Sequence, residues 1–177
     1  ASSDTWFRPA SLATGPDGAL YLADMYRLWV EHPKFLPAEI AERIDWRAGD
    51  DRGRIWRIIP NNAKPRSFIP SNATAELVSL LGDDNGWRRR LGQRLLVEQQ
   101  ATDAVASLGD SLTSGKNAFA RLHALWTLDG LDALTPDHLV RASGDSEPDV
   151  RKDAASLIAR VLKDKPNLLT QLAKLAN

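Results

Sequence analysis

Asp24, Tyr26, Arg27, Glu31 and His32 fall close together after the apolar run Leu20-Tyr21-Leu22-Ala23. A carboxylate, a phenol, a guanidinium and an imidazole at the end of a strand can hold a cation or grip a polar ligand, so Asp24, Arg27 and His32 are the candidate cofactor-binding residues. The competing reading is structural: Asp24 caps a turn, Arg27 pairs with an acid and His32 buttresses the segment that follows. His123 stands between Leu122 and Ala124-Leu125-Trp126, the setting of a packed or interface side chain, and no Ser, Cys or Asp lies near it at triad-like spacing. His138 follows Thr135-Pro136-Asp137, which reads as the first turn of a helix. The three histidines lack the i, i+4 spacing of a helical zinc motif. No catalytic residue and no metal ligand set is expected within this chain. Arg88, Arg89, Arg90 and Arg94 form the densest basic run. Successive helical positions point about 100° apart, so these arginines cannot all face one ligand. Solvation and salt bridges between repeats are the structural reading, and an acidic partner is the functional one.

The elements that must position these groups change character near residues 60–70. Ser11-Leu12-Ala13-Thr14, Gly15-Pro16-Asp17-Gly18 and Ala19-Leu20-Tyr21-Leu22-Ala23 read as strand, tight turn and strand, with Gly15, Pro16, Asp17 and Gly18 supplying the turn. Pro37 to Trp46 carries Ile40 and Ile44 four residues apart, with Glu39 and Glu42 early, which predicts a short inserted helix. Arg54 to Ile59 returns to strand. Two or three strands expose edges and lack a second face to bury, so they need further strands or the helical remainder of the chain. Pro60 to Pro70, rich in proline and asparagine, reads as a connector.

Composition sets broad bounds. Lys+Arg and Asp+Glu balance at 23 each, which supplies no field to draw nucleic acid or an anionic membrane. The absence of cysteine excludes disulfides, thiolate zinc sites and covalently attached haem within these residues. No apolar run of about 18 residues exists for membrane insertion, and the opening Ala1-Ser2-Ser3 shows no basic-then-apolar targeting pattern. The six tryptophans are scattered and read as packing anchors.

After Asn72 a helical pattern repeats. In one frame Leu77 falls on Leu139, Val78 on Val140, Asp83 on Asp145, Arg89 on Arg151 and Gly92 on Ala154, with Arg121 and Ala124 in the equivalent slots between them. The period is therefore about 30 to 32 residues, the mark of stacked helical hairpins that bury their apolar faces against one another. Val150-Arg151-Lys152-Asp153-Ala154, Ala120-Arg121-Leu122-His123-Ala124 and the divergent Arg88-Arg89-Arg90-Leu91-Gly92 resemble the second-helix opening of HEAT repeats. Arg89, Arg121 and Arg151 would bond turn carbonyls or acids of a neighbouring unit. Gly92, Ala124 and Ala154 would permit close helix approach. A closing helix is expected over 167–176.

Phe7-Arg8-Pro9, Gly15-Pro16-Asp17-Gly18-Ala19-Leu20-Tyr21, Ala23-Asp24-Met25-Tyr26-Arg27 and Asp51-Arg52-Gly53-Arg54-Ile55-Trp56-Arg57 resemble a closing β-propeller blade. With the helical motifs Asn85-Gly86-Trp87 and Leu122-His123-Ala124-Leu125-Trp126, the combination is similar to the planctomycete and verrucomicrobial membrane-bound dehydrogenase family, relatives of the glucose/sorbosone dehydrogenase propellers. The resemblance implies an exported, periplasmic or extracytoplasmic protein in which a propeller is followed by HEAT-like repeats and a c-type cytochrome domain. It also implies that the parent is a quinone-dependent sugar or alcohol dehydrogenase using a quinone cofactor, calcium and c-type haem, with no cofactor held by this chain alone. A propeller needs about four to eight four-stranded blades, and this chain can supply less than one.

The expected architecture is mostly α with a β-rich N-terminal segment: a partial propeller blade over 1–60, a linker over 61–72, and a HEAT-like α-solenoid of about three hairpins over 73–177, packed on the blade strands. The expected role is a non-catalytic scaffold that docks the propeller to the cytochrome domain. The alternative is a free-standing HEAT-repeat interaction module. Its partners would be other domains of the parent or a separate protein, without nucleic acid or membrane insertion.

Overall fold

The turn at Gly15 to Gly18 starts the first element pair. Gly18 has φ +84°, open to glycine at little cost. The Gly18 N–H donates to the Gly15 carbonyl at 3.1 Å, and the Gly15 N–H to that of Ala19 at 2.8 Å. A carboxylate oxygen of Asp17 accepts from the Ala19 N–H at 3.1 Å, while the other takes the Tyr21 hydroxyl at 3.1 Å and Arg57 Nε at 2.7 Å. One acidic side chain thus ties the turn to a strand 40 residues away.

The computed structural model describes residues 2–30, 32–64, 67–164, 170 and 173. The chain divides into two compact units, Ala1–Phe68 and Ile69–Asn177. The first holds β1 (Pro9–Thr14), β2 (Leu20–Asp24), α1 (Ala38–Ala41) and β3 (Arg54–Ile58). The strands form an antiparallel sheet in the order β1-β2-β3, aligning Leu12, Leu22 and Trp56 across one row and Thr14, Leu20 and Ile58 across another. Alternation places Leu12, Leu20, Leu22, Trp56 and Ile58 on one face. That face is open: Leu12 is 61%, Trp56 44% and Ile58 48% exposed. Of the described hydrophobic side chains in this unit, only Ala19 is buried, so its order rests on polar contacts rather than an apolar core.

The inserted helix is shorter than the Ile40/Ile44 spacing predicts. α1 ends at Ala41, whose carbonyl accepts the Trp46 indole N–H at 2.9 Å, and Asp45 accepts the Arg47 N–H at 3.0 Å. These bonds favour turns over continued helix.

The second unit is all helix among the described residues. It comprises α2 (Thr74–Leu80), α3 (Gly86–Glu98), α4 (Val105–Ser114), α5 (Ala118–Gly130), α6 (Pro136–Ser143) and α7 (Pro148–Asp164). Each opens at a polar signal where the sequence provides one: Asn85 accepts from the Trp87 N–H, Asn117 from the Ala120 N–H, and Thr135 forms a capping box with His138. α2 packs on α3, α4 on α5 and α6 on α7. The second helices α3, α5 and α7 also lie side by side, and α4 packs on α6. Leu77, Leu96, Leu108, Leu125, Leu128, Leu139, Val150 and Leu157 fill the shared core. A Cβ on Gly92 would sit 2.7 Å from the Leu77 carbonyl oxygen, and Ala124 and Ala154 are fully buried in the equivalent positions.

The ends of α3 and α5 repeat in backbone as well. Gln100 and Asp132 have φ of 51° and 53°, and the next residues, Ala101 and Ala133, donate to the carbonyls of Leu96 and Leu128 at 3.0 and 2.9 Å. Both are six-to-one helix stops built without glycine. The expected closing helix over 167–176 lies outside the described residues except 170 and 173.

Candidate functional site

A cleft lies between α3 and α5 of the helical unit. Arg90, Gln93, Arg94 and Val97 share one face of α3 by i, i+3, i+4 and i+7 spacing, and His123, Trp126 and Gly130 share one face of α5. Together they line this cleft of about 640 Å³. A smaller hollow of about 180 Å³, lined by Trp87, Arg90, Leu91 and Arg94, adjoins the same arginines.

Hydrogen bonds between helices fix the cleft floor. His123 Nδ1 lies 2.6 Å from Gln93 Oε1. An amide oxygen only accepts, so Nδ1 carries the proton and Nε2 is an acceptor. Burial, and then the charges of Arg89 and Arg90, push the His123 pKa down to about 4. The Trp126 indole donates to Asp153 of α7 at 2.8 Å, and Arg160 pairs with Asp129. We expect His123 to stay neutral through pH 5 and to titrate near pH 4, read from its ring proton shifts by NMR. A midpoint at 6.5 would place the ring in open solvent. Because the folded pKa is depressed, protonation opposes folding: stability is lost as pH falls from about 6.5 towards 4.

The basic run divides as helical spacing requires. Arg88 pairs with Asp83 at 3.5 Å, Arg89 donates to the carbonyls of Asp83 and Asp84 at 2.7 and 3.0 Å, and Arg94 pairs with Glu98 at 3.5 Å. Among the described residues Arg90 meets no carboxylate within ion-pair distance.

The arginines in the repeat slots have two kinds of partner. Arg151 repeats the Arg89 geometry, donating to the carbonyls of Asp145 and Ser146 at 2.7 and 2.8 Å. Arg121 instead forms a two-pronged pair with Asp145 at 2.6 and 3.0 Å, a charge-assisted contact that holds the Asp145 carboxyl below its usual range. Gly115 stands where the other turns carry Asp83 and Asp145, and its missing side chain leaves room for the Arg121 stem. Asn117 also donates to the Gly82 carbonyl at 3.0 Å, tying one turn to the next.

The N-terminal candidates do not converge. Asp24 is 3% exposed, and one of its oxygens accepts from the N–H groups of Arg8 and Tyr26 at 2.8 and 3.0 Å. The other accepts Arg54 Nε at 2.9 Å and the Trp56 indole at 3.1 Å, and Arg54 Nη2 is 2.7 Å away. Burial would raise its pKa, but these donors outweigh it and hold the carboxyl well below the usual range. Arg54 also pairs with Asp4 at 3.0 Å and stacks 3.7 Å over the Tyr26 ring. Arg27 reaches the Arg47 carbonyl at 3.5 Å, His32 accepts the Lys34 N–H at 3.2 Å, and Glu31 lies outside the described residues.

Residues 1–62 match a family model described as a domain of unknown function (DUF7133). The matched segment contains all three strands and the Asp24 network. No curated protein and no solved structure matches the chain.

Calcium does not fit the matched segment at Asp24. The ion takes about six to eight oxygens, whereas this carboxylate is surrounded by N–H donors including a guanidinium cation. The chain has no cysteine to attach a c-type haem. Sequence reasoning missed Arg8, Arg54 and Trp56, which give Asp24 its role. They lie 16 to 32 residues from it, too far for any local spacing to join them.

No helix among the described residues is long and apolar enough to cross a membrane.

Proposed function

We propose that this chain is the non-catalytic connecting part of an exported propeller-type dehydrogenase. Residues 1–60 contribute the closing blade, 61–72 the linker, and 73–177 a HEAT-like α-solenoid that docks the propeller to a c-type cytochrome domain. The observation that carries this reading is the open sheet. Its apolar face, with Leu12, Trp56 and Ile58, has exposed side chains, and β1 and β3 are both edge strands. A sheet with these properties gains most from adjoining β structure. The recurrence of Asn85, Arg89, Gly92 and Leu96 at Asn117, Arg121, Ala124 and Leu128 supports the HEAT-like reading of the helices.

The native protein tests this directly. Intact mass and peptide mapping of material purified from its source should recover additional blade peptides and a Cys-x-x-Cys-His haem peptide. A native polypeptide limited to these 177 residues would overturn the connecting role. In that case the free-standing interaction module stands, favoured by the cleft beside Arg90 and Arg94.

A further inference from the structure

We propose that the α3 and α5 face binds an extended acidic peptide of a partner protein, with two alternate carboxylates flanked by apolar side chains. This inference rests on reading the helical unit as an interaction surface. Arg90 and Arg94 are exposed and one helical turn apart on α3, a separation of about 6 Å along the axis. Alternate side chains of an extended peptide point to one side about 6.6 Å apart, so carboxylates at its positions i and i+2 span the two guanidinium groups.

Two hollows, each lined in part by both arginines, extend this match. Trp87 lies towards the N-terminal side of Arg90, and Val97 lies one turn beyond Arg94 towards the cleft with Trp126. An apolar side chain two positions before the first carboxylate faces the smaller hollow, and one two positions after the second faces the larger. The peptide pattern is apolar-x-acid-x-acid-x-apolar. Arg90 is available to a new acid, and Arg94 can exchange its exposed Glu98 pair because such pairs contribute little.

The surrounding charges favour a short acidic peptide over a polyanion. Glu98 and Asp129 stand at the cleft, and the chain has no net charge to hold a long phosphate backbone. His123 is neutral at pH 7 and adds an acceptor rather than a cation.

The test uses the 177-residue chain and the fluorescein-labelled peptide Gly-Leu-Ser-Glu-Ser-Glu-Ser-Leu-Gly in fluorescence anisotropy. Replacing both glutamates by glutamine, or making them adjacent so their side chains diverge, should weaken binding about tenfold or more. Arg90→Gln with Arg94→Gln should do the same, with an unchanged helical circular dichroism spectrum. Lys116→Gln, in the turn before α5, should bind like the parent chain. Equal affinity for the three peptides, equal affinity of the double arginine variant, or preferential binding of single-stranded oligothymidylate would overturn the proposal. Failure of the folded chain to bind the peptide would also overturn it, while the connecting role remains testable through the native mass.

Discussion

Asp24→Ala is expected to lower the thermal midpoint of the N-terminal unit by roughly 10 °C and to expose the Trp56 indole N–H to rapid hydrogen exchange. The carboxylate joins the start of β1, the end of β2 and the start of β3 by accepting from Arg8, Tyr26, Arg54 and Trp56. Removing it leaves several donors without their acceptor in a unit that has little apolar core to compensate. Asp24→Asn should also destabilise the unit, because an amide offers only one acceptor oxygen where donors occupy both sides. The near-UV signal of the tryptophans of this unit, Trp56 of β3 among them, followed on heating, reads the effect. An unchanged midpoint in both variants would refute the organising role of this residue. The pH dependence has a defined sign. With its folded pKa held well below 3.8, Asp24 stabilises the unit above that value and loses this contribution as pH falls towards its folded pKa. Asp24→Ala should flatten that acid limb.

The turn was legible because Gly15, Pro16, Asp17 and Gly18 carry their conformational preferences locally. Helix pairing was legible from apolar, arginine and small residues recurring at a near-constant interval. The stops at Gln100 and Asp132 were not, because each adopts the left-handed conformation without the glycine that usually marks it. The short extent of α1 escaped the pattern because the Trp46 indole and an aspartate turn compete with helix propagation. The cleft was legible only as separate residues. Gln93 and His123 meet across 30 positions, and Trp126 and Asp153 across 27, so their association depends on helix stacking rather than local spacing.

The two units use different means to fix their elements. In the first, Asp17 and Asp24 link distant backbone segments through arginine and aromatic donors, leaving apolar side chains available at the sheet surface. In the second, leucine packing supplies the core, and polar groups tie the turns at its edge. A charge substitution at Asp24 should therefore affect the sheet before the helical core, whereas a volume change at a helix crossing should do the reverse.

That reverse case is Ala124→Leu or Ala154→Leu, each expected to destabilise the helical unit by about 1 to 3 kcal/mol. Both alanines are fully buried, and the sequence frame sets each in the slot that Gly92 occupies in α3. At Gly92 the available space is known from the backbone itself: an added Cβ would approach the Leu77 carbonyl oxygen to 2.7 Å and the Leu80 Cβ to 3.0 Å. Gly92→Ala should therefore destabilise despite the gain of about 1 kcal/mol in helix propensity, because the obstructing carbonyl belongs to a packed helix. Urea unfolding monitored by far-UV circular dichroism measures all three variants. A lowered midpoint with an unchanged denaturant slope is the expected result, since overpacking strains the native crossing without altering the surface exposed on unfolding. Unchanged midpoints for Ala124→Leu and Ala154→Leu would show that the crossings can separate freely, and would remove the physical basis for placing Gly92, Ala124 and Ala154 in one repeating slot.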